Sequence, residues 1–350
     1  MTMSFENVKP RSPWKASKKD RIRDGAIFIA SIVFTYFFVG VSPLNGRLGY
    51  FVTFFVTYAL ATSILSFMKF GFVTAKDSAI KVAIACGSVL VLLPIFSILF
   101  TVVSKGYKGI QPHIFLQDMS MATATDPISN GGLIHAVTGT LTMVAIALIL
   151  SVPIGILTAL YLTEIKGKFV RPIKFLVQAM SGVPSIVAGL FILSAVVYPI
   201  TKGNSGFMGS LALTILMIPT VARTSEEVLN LIPQDLREAG TALGGTQWRT
   251  VAMIVIPAAK SGLITAVILG VARIVGETAP LLLLTGGGDK INPNPFEGPM
   301  GSLPYYIWKS FGSGSEEGLT RAWAGLLVLV GLILILFTTA RLLGSRKVGR

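Results

Sequence analysis

Apolar residues in this chain come in long uninterrupted runs rather than as one face in two or three, and polar residues collect between the runs. A helix needs about 20 apolar residues to cross the roughly 30 Å hydrocarbon layer of a bilayer. Uncharged runs of that order occur at Gly25–Gly46, Leu48–Met68, Val82–Ser104, Leu133–Thr163, Phe175–Thr201, Gly203–Ala222 and Ala322–Ala340. A further run, Ser261–Gly288, is equally apolar except for Arg273 and Glu277 near its middle. The pattern predicts an all-α polytopic membrane helix bundle of about eight spans. The first run is longer than a signal-peptide core, lacks a small-residue cleavage site and leads almost directly into the second, so it reads as an uncleaved helical hairpin.

Composition agrees: of 350 residues, 52% are hydrophobic and 13% charged, against about 25% charged in a soluble domain. The formal net charge of +14 would suit a nucleic-acid surface, but its placement argues otherwise. With the N-terminus inside, the lysines and arginines fall in cytoplasmic segments, except Arg47, Lys105, Lys108, Lys202, Lys290, Lys309, Arg321 and the intramembrane Arg273. That bias predicts both termini in the cytoplasm and basic residues flanking spans on an anionic leaflet, with no nucleic-acid partner. Cys86 has no partner for a disulfide, and His113 and His135 stand in unlike contexts without metal-ligand spacing.

Two segments on the opposite side, 105–132 and 289–321, are rich in Gly, Pro, Ser and Asn and read as loops long enough to dock an external partner. The cytoplasmic loop 223–260 carries more pattern. Pro233 can begin a helix, and Leu236, Ala239 and Leu243 form a narrow apolar stripe on it. Gly244 and Gly245 can supply the left-handed turn that ends it, and Pro257 and Lys260 mark the return to the bilayer. No phosphate-binding loop occurs; the one Gly-Lys pair, Gly167-Lys168, is followed by Phe169.

The loop resembles the E-A-A loop of ABC importer permeases at Glu238, Ala239, Gly244, Ile254 and Pro257, with Gly240 for the second alanine and Ile256 for a leucine. Several further segments are similar to the PstA-type permeases of phosphate ABC importers. They are Gly131-Gly132-Leu133 with Gly139-Thr140-Leu141, the segment from Ser181 to Phe191, and above all Ala272-Arg273-Ile274-Val275-Gly276-Glu277-Thr278-Ala279-Pro280.

The resemblance implies a type I importer permease fold with a six-span core at 78–345, to which residues 1–77 add a basic N-terminus and a hairpin. It implies a subunit of the bacterial plasma membrane, with no catalysis of its own, that imports inorganic phosphate. It implies a second homologous permease, a dimer of ATPase subunits holding ATP and Mg, and an extracytoplasmic phosphate-binding protein as partners. Arg237, Glu238, Ala239, Gly240, Gly244 and Pro257 would then belong to the ATPase-coupling segment.

Arg273 and Glu277 admit two readings. A charge in mid-membrane costs at least about 2.5–3.5 kcal/mol, so such residues line a pathway or pair with one another. At i and i+4 they can neutralise each other on one helix face. Alternatively, Arg273 is a transient anion site with Glu277 as its competitor. Arg223, with Glu226 and Glu227 one turn on, either lines the inner exit or snorkels at the interface.

Overall fold

The structure is a computed structural model that describes residues 18–42 and 46–345. Of the basic residues used for orientation, Lys9, Arg11, Lys15, Arg346, Lys347 and Arg350 lie outside the described residues. Helices make up most of the described chain, and among the described residues the only β-type pairing is a single bridge between Gly286 and Met300. Among the described residues, seven helices are long and apolar enough to cross a membrane, and a bent pair supplies an eighth span if counted as one.

The chain divides into two compact units, 1–99 and 100–350. In the first, α1 (Lys18–Val41) packs on α2 (Arg47–Phe70) through aromatic edges, Phe28 meeting Phe54 at 5.4 Å and Tyr58 at 5.9 Å between ring centroids. Ser66 and Ser78 share a 2.8 Å hydrogen bond that ties the end of α2 to the start of α3 (Phe72–Gly106). The boundary between the two units falls within α3.

In the second unit, α4 (Ile134–Leu160) lies along α7 (Gly206–Asn230), and α7 packs in turn on α10 (Ile256–Val275). Met143, Ala147, Leu213, Met217, Val221 and Ile274 form the main core between them. Lipid tails are as apolar as leucine, so helices associate in a membrane through close packing rather than through a hydrophobic drive. Gly155 provides it here, since a Cβ at that position would meet Val221 Cγ1 at 2.8 Å. The most apolar window of α7 is 67% buried, against 17% for that of α13 (Glu316–Ser345), which makes α7 the central span.

Two of the expected spans are broken. The apolar run at Phe175–Thr201 is not one straight helix: α5 (Val170–Ser181) meets α6 (Ser185–Ile192), continued by a π-helical segment at Leu193–Thr201, at 105°. Pro184 makes the corner, because it has no N–H to continue a helix and stands in extended conformation at ψ 139°. The run Ser261–Gly288 is divided too: α10 stops at Val275, and a short α11 (Ala279–Leu284) begins after a three-residue break.

At the end of the bundle away from the loop 223–260, the two long Gly- and Pro-rich segments are stitched into one surface. Met119 N–H donates to the Asp289 carbonyl at 2.9 Å, Ile291 N–H to Asp118 Oδ2 at 3.3 Å, and Lys309 Nζ to Asp289 Oδ1 at 2.8 Å. Arg321, 2% exposed at the start of α13, donates through Nη2 to the carbonyls of Pro127 and Asn130, both at 2.7 Å. Asp118 also accepts from the hydroxyl and N–H of Ser120, which holds its carboxyl below the usual carboxylate range.

Candidate coupling loop and intramembrane charge site

The polar loop 223–260 forms helix, turn and helix as its sequence predicts. Pro233, extended at ψ 142°, stands at the N-cap of α8 (Gln234–Ala242). Gly244 then adopts φ +82°, with nothing within 4 Å of where a Cβ would sit. Gly244 N–H donates to the Thr241 carbonyl at 2.9 Å, and Gly245 N–H to the Gly240 carbonyl at 3.1 Å. Those two bonds, with a left-handed residue between them, are a Schellman termination. Thr246 caps the next helix, α9 (Gln247–Thr250), its hydroxyl accepting from Arg249 N–H. The chain runs on through a π-helical turn at Val251–Val255 into α10, so Pro257 sits in the first turn of a helix that is already under way.

The two sides of α8 differ. Leu236, Glu238, Ala239 and Leu243 are exposed, Leu243 at 88%, and so is Trp248 beyond the turn. Gly240 faces inward, where a Cβ would come within 2.6 Å of Thr250 Cγ2 in α9 and 2.8 Å of Ile254 Cδ1 in the π-helical turn. Arg237 also turns inward. Its Nε and Nη2 donate to Glu164 Oε2 and Oε1 at 3.0 and 2.8 Å, as a bidentate fork. Nη1 and Nη2 donate as well to the carbonyls of Ile232 and Leu229 at 2.6 and 2.9 Å. The hydrogen bonds to Glu164 raise the Arg237 pKa above its ordinary value. The sequence reading placed Arg237 in the coupling segment without finding its partner. The one available signal was a lone carboxylate, Glu164, immediately after the apolar run that ends at Thr163.

The Arg273–Glu277 pair departs from the expected geometry. Arg273 is in the last turn of α10, whereas Glu277 lies in the break, after Gly276 has ended the helix. They therefore do not share one helix face at i and i+4, and among the described residues no ion pair joins them. Arg273 is exposed and Glu277 half-buried, close to the buried Ile274 and Pro280. The structure thus puts a guanidinium with no ion-pair partner among the described residues at a point where a membrane helix is interrupted.

The third cluster is paired. Arg223 Nε lies 3.6 Å from Glu227 Oε1 on the exposed side of α7, and Lys174 of α5 donates to Glu226 Oε1 at 2.8 Å. From the sequence Lys174 counts only as one of the cytoplasmic basic residues; the fold brings α5 beside α7 and Lys174 to Glu226.

Residues 151–348 match the family of binding-protein-dependent transport system inner membrane components. The phosphate transport system permease protein PstA of Mycobacterium leprae is 39% identical over 262 residues, 74% of this chain and 86% of that protein. PstA of Haemophilus influenzae is 37% identical over 252 residues, 71% of this chain and 87% of that protein. The probable PstA of the archaeon Methanocaldococcus jannaschii is 33% identical over 268 residues, 76% and 92% of the two chains. Among solved structures, an inward-facing form of the MetNI methionine ABC transporter matches at 19% identity and a TM-score of 0.47, covering 61% of this chain and 92% of that one.

The all-α bundle and the match over residues 151–348 are those of a binding-protein-dependent transport permease. Within that class, the chain belongs to the PstA family of phosphate transport system permeases.

Proposed function

We propose that this chain is one of two membrane permeases in an ATP-driven importer of inorganic phosphate. It carries no chemistry on covalent bonds. A companion permease completes the pathway, a pair of ATPase subunits supplies ATP and Mg, and an extracytoplasmic binding protein delivers the solute to the stitched surface of segments 105–132 and 289–321. Both termini and the loop 223–260 face the cytoplasm in this reading, as the basic residues flanking the spans favour.

The observation that carries the reading is Arg273. An exposed guanidinium at membrane depth with no partner among the described residues is costly unless something anionic visits it. Its planar fork gives two parallel hydrogen bonds to a tetrahedral oxyanion and keeps its charge when partly desolvated. Glu277, four residues on and across a helix break, adds a selective element. A carboxylate repels a fully ionised oxyanion but accepts a hydrogen bond from a protonated phosphate oxygen. ATP-driven closure of the ATPase pair would move the exposed side of α8, and the attached spans would reorient around this site.

The test is to reconstitute the complex with its ATPase and binding protein and measure ATP hydrolysis with different external solutes. Phosphate is expected to stimulate hydrolysis and sulfate is not. Stimulation by another oxyanion alone would reassign the substrate, and failure of any ATPase subunit to co-purify would favour a channel or secondary transporter.

A further inference from the structure

Glu164 is an unusual residue for its place. It sits in the π-helical turn Tyr161–Ile165 that ends α4, so its charge stands at a helix C-terminus, where the helix dipole disfavours an anion. Its side chain is only 7% exposed, and burial adds the cost of stripping water from a charge. Nothing in the importer reading uses it. What offsets both costs is Arg237, whose side chain is 18% exposed and whose fork takes both carboxylate oxygens.

The same guanidinium holds more than Glu164. Leu229 belongs to the last turn of α7 and Ile232 to the link after it, so Arg237 also binds the backbone where that helix ends, adding a donor to a Leu229 carbonyl that already accepts from Ile232 N–H at 3.2 Å. The backbone of Glu164 is engaged from the other side of the turn, its carbonyl accepting from Gln247 Nε2 of α9 at 2.6 Å. The ion pair ties α8 to the end of α4, and the hydrogen bonds beside it tie α8 to the end of α7 and α9 to the end of α4, two of the spans that form the core. Its inward position also separates it from the exposed Leu236, Glu238 and Ala239 and from Leu243 just past the helix, which are among the side chains open to another protein.

We infer that Glu164 and Arg237 are a positioning pair: a stiff joint that passes displacement of α8 to α4 and α7, and takes no part in holding the ATPase. The inference rests on the importer reading for what moves α8. A bidentate fork suits the task because two parallel bonds resist rotation and sliding, whereas one ammonium–carboxylate contact pivots. Breaking the joint leaves the outward side of α8 intact. The expected defect is uncoupling with normal assembly.

The experiment compares the complete complex carrying Arg237→Lys, Glu164→Gln or Gln247→Ala with the wild type. Membrane abundance, co-purifying ATPase, basal ATP hydrolysis and solute-stimulated hydrolysis are read together. Glu164→Gln is expected to keep the ATPase and the basal rate and to lose stimulation by about tenfold or more, and Arg237→Lys to lose stimulation to the same extent. Gln247→Ala removes one exposed hydrogen bond and is expected to cause a smaller loss, about threefold. Stimulation within twofold of wild type in both charge variants would overturn the inference. Loss of the ATPase from Arg237→Lys but not from Glu164→Gln would overturn it too, by moving Arg237 to the docking side. A readout without transport separates this inference from the importer reading. Spin labels at Ile165 and Thr241 are expected to report one narrow α4–α8 distance in the wild type and a broad one in Glu164→Gln, and equal widths would sink the joint even if phosphate import is correct.

Discussion

Arg273 is the residue on which the functional reading turns, and its two interpretations give opposite results when both charges are removed. If Arg273 only neutralised Glu277, the Arg273→Met, Glu277→Met double variant should insert better and still transport, because replacing a buried pair whole costs less than breaking it. The helix break between them, and the absence of an ion pair, favour the anion-site reading. The double variant is then expected at normal abundance in the membrane with uptake abolished. Arg273→Lys keeps the charge and loses the fork, and uptake is expected to fall about ten- to hundredfold, the equivalent of one charged hydrogen bond. Uptake of labelled phosphate and membrane abundance, measured side by side, decide between the readings. The identity of both residues was legible in the sequence because charges are conspicuous in an apolar run. Their geometry was not. Gly276 and Pro280 mark the interruption, but hydropathy responds to composition and passes over a three-residue break whose flanks are equally apolar.

At the scale of elements, the loop 223–260 was the easiest part of the chain to read and the bent span the hardest, for related reasons. Water-facing helices advertise their ends with glycine, proline and polar caps, so Pro233, Gly244 and Gly245 located α8 and its turn. In Phe175–Thr201 the corner at Pro184 is surrounded by residues that suit lipid on either side, and the run looked continuous. The same polar context explains why Glu164 escaped notice, since a carboxylate at the edge of a span looks like ordinary interfacial decoration until the fold places Arg237 against it.

Gly244 tests the α8 assignment directly. Its φ of +82° costs an L-residue about 1–2 kcal/mol, and the open space around it means that the cost is conformational rather than steric. Asparagine tolerates that conformation, so Gly244→Asn is expected to remain near wild type in solute-stimulated ATP hydrolysis. Gly244→Ala is expected to be partly uncoupled. Gly244→Asp, which adds a charge beside the exposed Leu243, is expected to insert normally and lose stimulation. An aspartate variant that couples as well as wild type would remove α8 from contact with the ATPase.

For the whole molecule, the open matter is the N-terminal hairpin, and the division of the chain states it physically. Among the described residues, the larger buried apolar clusters, from Ile114 to Tyr306, lie within residues 100–350, so the second unit has a core of its own. Removing residues 1–77 takes away α1, α2 and the first turns of α3. What remains of α3 runs from Ser78 to Gly106. At 1.5 Å per residue that is about 43 Å of helix, more than the roughly 30 Å of hydrocarbon it must cross. Lys81 stays behind as the basic flank of the new first span, and loss of an even number of spans leaves every later helix in its original direction. The truncated chain is therefore expected to insert, to bind its ATPase and to import phosphate at a measurable rate, at least about a tenth of full length. Uptake by whole cells, normalised to membrane abundance, checks this. Complete loss of uptake from a stably inserted truncation would show that α1 and α2 take part in transport itself, and that the six-span core does not work alone.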